Sequence, residues 1–164
     1  MSLIFSQCTE YESGIICRLL SVCYVGIMDR ELTEQFQQFD REIFENPATV
    51  GACTLITTLS SDIVGMASYD PRQAPMLGII GHNCILPKHQ KKGYGKQQIL
   101  EVIKRLKSRG IIRVTVSTSE HPFFEPACKM YLSCGFTELE RKRKRPKDLY
   151  RTIYYGMELK NVCY

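Results

Sequence analysis

Residues 86–96 read Leu86-Pro87-Lys88-His89-Gln90-Lys91-Lys92-Gly93-Tyr94-Gly95-Lys96 and lie between an apolar, β-branched run and a strongly patterned helical segment. The leading end of a helix exposes unpaired backbone N–H groups and the positive end of the helix dipole, so a loop that curls closely there forms an anion site. Gly93 and Gly95 permit that curl, because glycine has no Cβ to strike an oxygen and tolerates positive φ. Lys91, Lys92 and Lys96 add positive charge, and the whole suits a diphosphate. Two other phosphate loops are excluded by the letters. A Walker loop needs Gly-Lys followed by Ser or Thr, and here Gln97 follows Gly95-Lys96. A dinucleotide fingerprint would place its third glycine at Gln98 and would sit in an opening βαβ unit, not mid-chain.

Outward from this loop, Met76 to Leu86 predicts a central strand in which Gly78 and Gly81 mark a bulge or a close backbone approach. On the other side, Ile99, Val102, Ile103 and Leu106 line one face of a helix from Lys96 to Arg109, which Gly110 terminates. Ile112, Val114 and Val116 alternate with polar residues as a strand, and a short helix from Phe123 to Cys134 stops at Gly135. Phe136–Arg141 and Leu149–Leu159 predict a last hairpin around the basic turn 142–147. Towards the N-terminus, Leu3-Ile4-Phe5 reads as a strand and Glu10–Met28 as a helix. A second helix is capped by Asp29 and stopped at Asn46-Pro47. Thr54–Leu59 and Ile63–Tyr69 form a hairpin through Ser60-Ser61-Asp62, and Asp70-Pro71 reads as a turn.

Two segments together carry a family resemblance. Gln90-x-x-Gly93-x-Gly95, approached through Ile85-Leu86-Pro87, resembles the acetyl-CoA loop of the GNAT superfamily of N-acetyltransferases. Ala127-x-x-x-Tyr131-x-x-x-Gly135-Phe136 is similar to that family's later Ala-x-x-x-Tyr-x-x-x-Gly-Phe segment, at the right distance and in the right order. The likeness covers most of residues 54–159. One departure is Phe124, where many members carry an asparagine that bonds the pantetheine arm.

The resemblance implies one α/β domain over residues 1–164, of the α+β mixed-sheet kind: a mostly antiparallel central sheet flanked by helices, with one parallel strand pair splayed at the acetyl-CoA site. It implies an N-acetyltransferase that passes acetyl from acetyl-CoA to a primary amine by direct attack in a ternary complex. Ile85, Gln90, Lys91, Lys92, Gly93, Tyr94, Gly95 and Lys96 are then the cofactor-binding residues. Tyr131 is the general acid for the departing thiolate. His82, in the strand before the loop, is the candidate general base; an ordinary pKa of about 6.5 suits it to that role at neutral pH. A homodimer is compatible with this reading.

Charge adds an expectation about the acceptor. Residues 1–70 hold three basic and ten acidic side chains, whereas residues 71–164 hold 19 basic and seven acidic ones. A small-molecule or peptide amine, cationic and drawn by the acidic segment, fits that division. The basic run Arg141–Lys147 raises the alternative of nucleic-acid binding, but few aromatics interleave with it. A non-catalytic acyl-CoA sensor or interaction subunit is the other alternative.

Eight cysteines, Cys163 among them, show no Cys-x-x-Cys pair, and His82, His89 and His121 are not spaced with them as zinc ligands; no metal is expected. Without a long apolar span or a charged stretch before an apolar run at Met1–Phe5, the expected setting is the cytoplasm, with no membrane partner.

Overall fold

In the computed structural model, which describes residues 1–159, the second helix begins as its sequence requires. The Asp29 carboxylate accepts the Leu32 N–H at 2.7 Å, and Phe36, Asp40 and Ile43 form the buried stripe. The chain order is β1 (Ile4–Gln7), α1 (Ile15–Cys23), α2 (Arg30–Glu45), β2 (Thr54–Leu59), β3 (Asp62–Gln73), β4 (Leu77–Ile85), α3 (Tyr94–Ser108), β5 (Arg113–Ser119), α4 (Glu125–Ser133), β6 (Thr137–Lys142) and β7 (Thr152–Glu158). The seven strands form one sheet ordered β1-β2-β3-β4-β5-β7-β6. β1/β2, β2/β3, β5/β7 and β6/β7 run antiparallel, and β4/β5 is parallel. That parallel register joins Gly78 to Val114 and Ile79 to Thr115 and goes no further, although β4 runs on to Ile85 and β5 to Ser119. The mixed, mostly antiparallel sheet with helices is the fold expected from the sequence.

Two compact units divide the chain, Met1–Tyr69 with His82–Gln98 and Asp70–Gly81 with Ile99 onward. In the first unit, Ile16, Leu20, Phe36, Ile43, Ile56 and Met66 are fully buried together. The hairpin between β2 and β3 turns on Ser60 and Ser61, both at positive φ (49° and 74°), the two-residue geometry that matches strand twist. The helix expected over Glu10–Met28 is shorter in the structure, because Gly14 takes φ 96° and Asp40 of α2 caps α1 from outside. Its carboxylate accepts the N–H groups of Gly14 (2.8 Å), Ile16 (2.9 Å) and Cys17 (3.1 Å).

The expected turn at Asp70-Pro71 lies instead inside β3, which continues to Gln73; the chain reverses at 74–76. β2 begins at Thr54, opposite Ser68, so the missing N–H of Pro71 falls beyond the β2 ladder, where no bond to that strand is lost.

In the second unit, Gly78 is a close approach, as its sequence context suggests. A Cβ there would stand 2.8 Å from Leu106 Cδ2 and 3.2 Å from Ile111 Cδ1. The β6–β7 hairpin is tied down by Glu120, just past β5, which accepts Arg151 N and Nε, both at 2.9 Å, and Arg141 Nη1 at 3.4 Å. Hydrogen bonds from Arg151 hold the Glu120 carboxyl down to about 2.

Candidate active site

The Gly93–Gly95 loop runs directly into the N-terminus of α3. α3 starts at Tyr94, directly after Gly93, which takes φ +81°; its first i→i−4 bond runs from Gln97 N to Gly93 O at 3.2 Å. The earlier N–H groups of the helix, on Tyr94, Gly95 and Lys96, precede that bond and point off the helix end. A Cβ at Gly93 would meet no atom within 4 Å, and one at Gly95 only Ile85 Cγ1 at 3.5 Å. The Cβ side of both glycines is therefore uncrowded. Lys91 also takes the left-handed conformation (φ 61°), which turns the chain into the helix ahead of the first glycine. Lys91, Lys92 and Lys96 are exposed, so their charge is available at the helix end.

Gln90 is placed differently from the residues that follow it. Its side-chain amide donates to Ile85 O at 3.0 Å, bracing the loop against the end of β4, while its backbone N–H closes a turn on Pro87 O at 3.3 Å. One residue earlier, His89 Nε2 is buried without a hydrogen-bond partner. An open cradle of helix-end donors, flanked by three exposed lysines, fits a CoA diphosphate.

His82 stands on β4 in the same unit. Its ring packs against Phe39 (centroids 5.0 Å apart) and edge-on to Phe36 (5.6 Å), while its carbonyl accepts the Ser68 hydroxyl at 2.9 Å. Burial lowers the imidazole pKa below its ordinary 6.5, so the ring is neutral at pH 7. The ring borders a depression of about 640 Å³ lined further by Glu31, Glu34, Gln38, Phe39 and Glu42 of α2. Glu31, Glu34, Gln38 and Glu42 recur at spacings of three and four and so share one helix face, which makes the wall beside His82 acidic. Glu34 also pairs with Arg30 at 2.9 Å, and Arg41 joins the rim.

Tyr131 lies in the second unit, on α4, and is only 4% exposed. Its ring meets Tyr155 at 5.9 Å and Phe136 at 6.0 Å, so the Gly135-Phe136 end of the sequence segment is what wedges it in place. Phe124 precedes α4 and stacks edge-on with Phe123 at 5.0 Å. In the basic run, Arg141 pairs with Glu120 and Glu138, Lys142 with Glu140 and Arg145 with Asp148, so much of its charge is offset locally.

Seven cysteines fall within the described residues and all are free thiols, whereas Cys163 lies outside them. Among the described residues no group of His, Cys, Asp and Glu side chains is arranged to hold a metal ion. No helix there is long and apolar enough to cross a membrane.

Comparison with known proteins bears on the family and the fold. The profile of the Acetyltransferase (GNAT) family matches residues 15–136. The uncharacterized N-acetyltransferase YsnE of Bacillus subtilis is 38% identical over 52 residues, which span 32% of this chain and 34% of YsnE. Among solved structures, a protein assigned to the GNAT family from Desulfovibrio desulfuricans superposes with a TM-score of 0.80 at 18% identity, covering 96% of this chain and 99% of its own. A Bacillus subtilis acetyltransferase solved in complex with CoA gives a TM-score of 0.68 at 15% identity, covering 96% and 99%. With the family profile extending from the start of α1 through the segment that carries Tyr131, the chain belongs to the GNAT family of acetyltransferases.

Proposed function

We propose that this chain passes the acetyl group of acetyl-CoA to a cationic primary amine bound beside His82, by direct attack in a ternary complex. The observation that carries the reading is the open helix end at Gly93–Lys96 in a chain of this family. Backbone N–H groups of the loop and first turn, with Lys91, Lys92 and Lys96, take the diphosphate, while Gln90 and Ile85 frame the loop. The thioester supplies an activated acyl carbon. Its capture needs the nitrogen lone pair, so a protonated amine must lose a proton before the new carbon–nitrogen bond can form. Neutral His82 accepts that proton. As the carbon–sulfur bond breaks, the Tyr131 hydroxyl donates to the sulfur. Holding both substrates in place accounts for much of the rate, since well-oriented reactants gain about 7 to 11 kcal/mol.

The α2 wall supports a cationic acceptor. Glu31, Glu34 and Glu42 are strung along about 16 Å of helix, a length suited to a linear diamine or a lysine side chain. Replacing both Glu31 and Glu34 with glutamine is expected to raise KM for 1,4-diaminobutane about fivefold relative to a neutral amine of similar length, since each exposed carboxylate contributes about 0.5 kcal/mol. High salt should erase the same preference. An unchanged preference would remove the α2 wall from acceptor selection.

Thiol release from acetyl-CoA in the presence of an amine panel, with the acetylated product seen by mass spectrometry, tests the whole reading. Binding of acetyl-CoA with no release for any amine would point to a sensor instead. The local pairing of Arg141, Lys142 and Arg145 with acidic residues leaves the nucleic-acid reading without a specific support.

A further inference from the structure

Gln98 is a long polar side chain with no solvent exposure at all, placed one turn into the helix that faces the phosphate loop. Its Oε1 accepts the Thr57 hydroxyl of β2 at 2.6 Å. Its Nε2 donates to Met66 O of β3 at 2.7 Å and reaches Cys84 O of β4 at 3.4 Å. The orientation of the amide is fixed by its partners, since two carbonyls require the NH₂ and the hydroxyl takes the remaining oxygen. One side chain thus links the first turn of α3 to three successive strands.

The two strands it touches at their carbonyls come together unusually closely. A Cβ at Gly65 of β3 would lie 2.1 Å from Cys84 O, so glycine is required there, and Leu86 N donates to Val64 O at 2.8 Å. Gln90 bonds the next carbonyl along, Ile85 O. Consecutive carbonyls at the end of β4 are therefore bound by amides on either side of the Gly93–Gly95 loop, one exposed and one buried. An apolar residue at 98 would fill the space, but it would slide; packing is tolerant of small shifts, whereas hydrogen bonds at these lengths are directional.

We infer that Gln98 is a positioning residue that sets where the diphosphate-holding end of α3 stands against β3 and β4, and that acetyl-CoA affinity depends on it although it does not touch the ligand. The inference rests on the proposal that this helix end holds the diphosphate. A displacement of donors by a fraction of an ångström is enough to weaken a multidentate site.

The test is a set of three variants measured beside the wild type. Gln98→Leu alone leaves the Thr57 hydroxyl without its acceptor in the core and is expected to lose thermal stability. Gln98→Leu with Thr57→Val removes the hydroxyl together with its acceptor at similar volume, so only the Met66 and Cys84 carbonyls lose the amide and the double variant is expected to melt above the single one. For the double variant the expected result is a KM for acetyl-CoA raised at least about tenfold, with kcat at saturating acetyl-CoA reduced less than threefold and the KM for the amine unmoved. Thr57→Ser, which keeps the hydroxyl, should retain wild-type affinity. A double variant that is folded and binds acetyl-CoA as well as the wild type would overturn the positioning role while leaving the cofactor reading intact. A wild type that fails to bind acetyl-CoA in the same titration would overturn both.

Discussion

Replacing Gly95 with aspartate should abolish acetyl-CoA binding without harming the helix that carries it. Gly95 sits in the first turn of α3 at ordinary φ, and a Cβ there would make only ordinary contact, with Ile85 Cγ1 at 3.5 Å. A carboxylate in the first turn favours the helix by about 0.3 to 1 kcal/mol through the dipole. The same charge beside a diphosphate repels it by about 1 to 4 kcal/mol at contact distance, in addition to filling the cradle. Calorimetric titration is expected to show affinity reduced by at least about a hundredfold, equivalent to about 2.7 kcal/mol, with the melting temperature held or slightly raised. Asparagine at the same place separates the steric part from the charge. Unweakened binding by the aspartate variant would show that the anion site lies elsewhere.

Removing the imidazole of His82 should act on turnover and leave acetyl-CoA affinity alone. In His82→Gln, kcat with a primary amine is expected to fall about a hundredfold, the lower range for a lost general base. The pH dependence carries a sign that can be checked. Burial against Phe36 and Phe39 lowers the pKa, so the ring stays an acceptor down to pH values below 6.5, and the acid limb of kcat/KM should lie below 6.5 in the wild type and vanish in the variant. Stability follows the same linkage. Below pH 6.5 the unfolded chain takes up a proton that the folded one resists, so folding stability declines as the pH falls through that range. A variant with full turnover and an unchanged acid limb would return His82 to a packing role.

The elements that were legible in the sequence are those whose causes are local. Asp29 caps α2 because the residue three positions on presents its N–H to it, Ser60 and Ser61 close a two-residue hairpin, and Gly93 precedes a helix with a clear apolar face. Periodicity and turn chemistry see such causes directly. The loop and the Tyr131 segment were legible together because their order and spacing resemble one family, and the family profile spans both.

What was not legible depends on partners far along the chain. Asp40 reads as an ordinary polar residue of α2, yet it caps α1 across more than twenty residues and so decides where that helix begins. Pro71 reads as a turn until the β2 ladder is seen to end at Ser68. Gln98 stands in a helix with nothing to mark it as buried, since its meaning lies in Thr57, Met66 and Cys84. Glu120 likewise gains its role only when β7 brings Arg151 beside it.

The most direct measurement compares acetyl-CoA with S-acetylpantetheine, which keeps the thioester and the pantetheine arm but lacks the diphosphate and the 3′-phosphoadenosine, with adenosine 3′-phosphate as the control for the latter. If the backbone around Gly93 and Gly95 holds that diphosphate, acetyl-CoA binds and S-acetylpantetheine binds at least about a hundredfold more weakly, as expected for the loss of several charge-assisted hydrogen bonds. Equal affinity for the two, or none for either, would contradict the account.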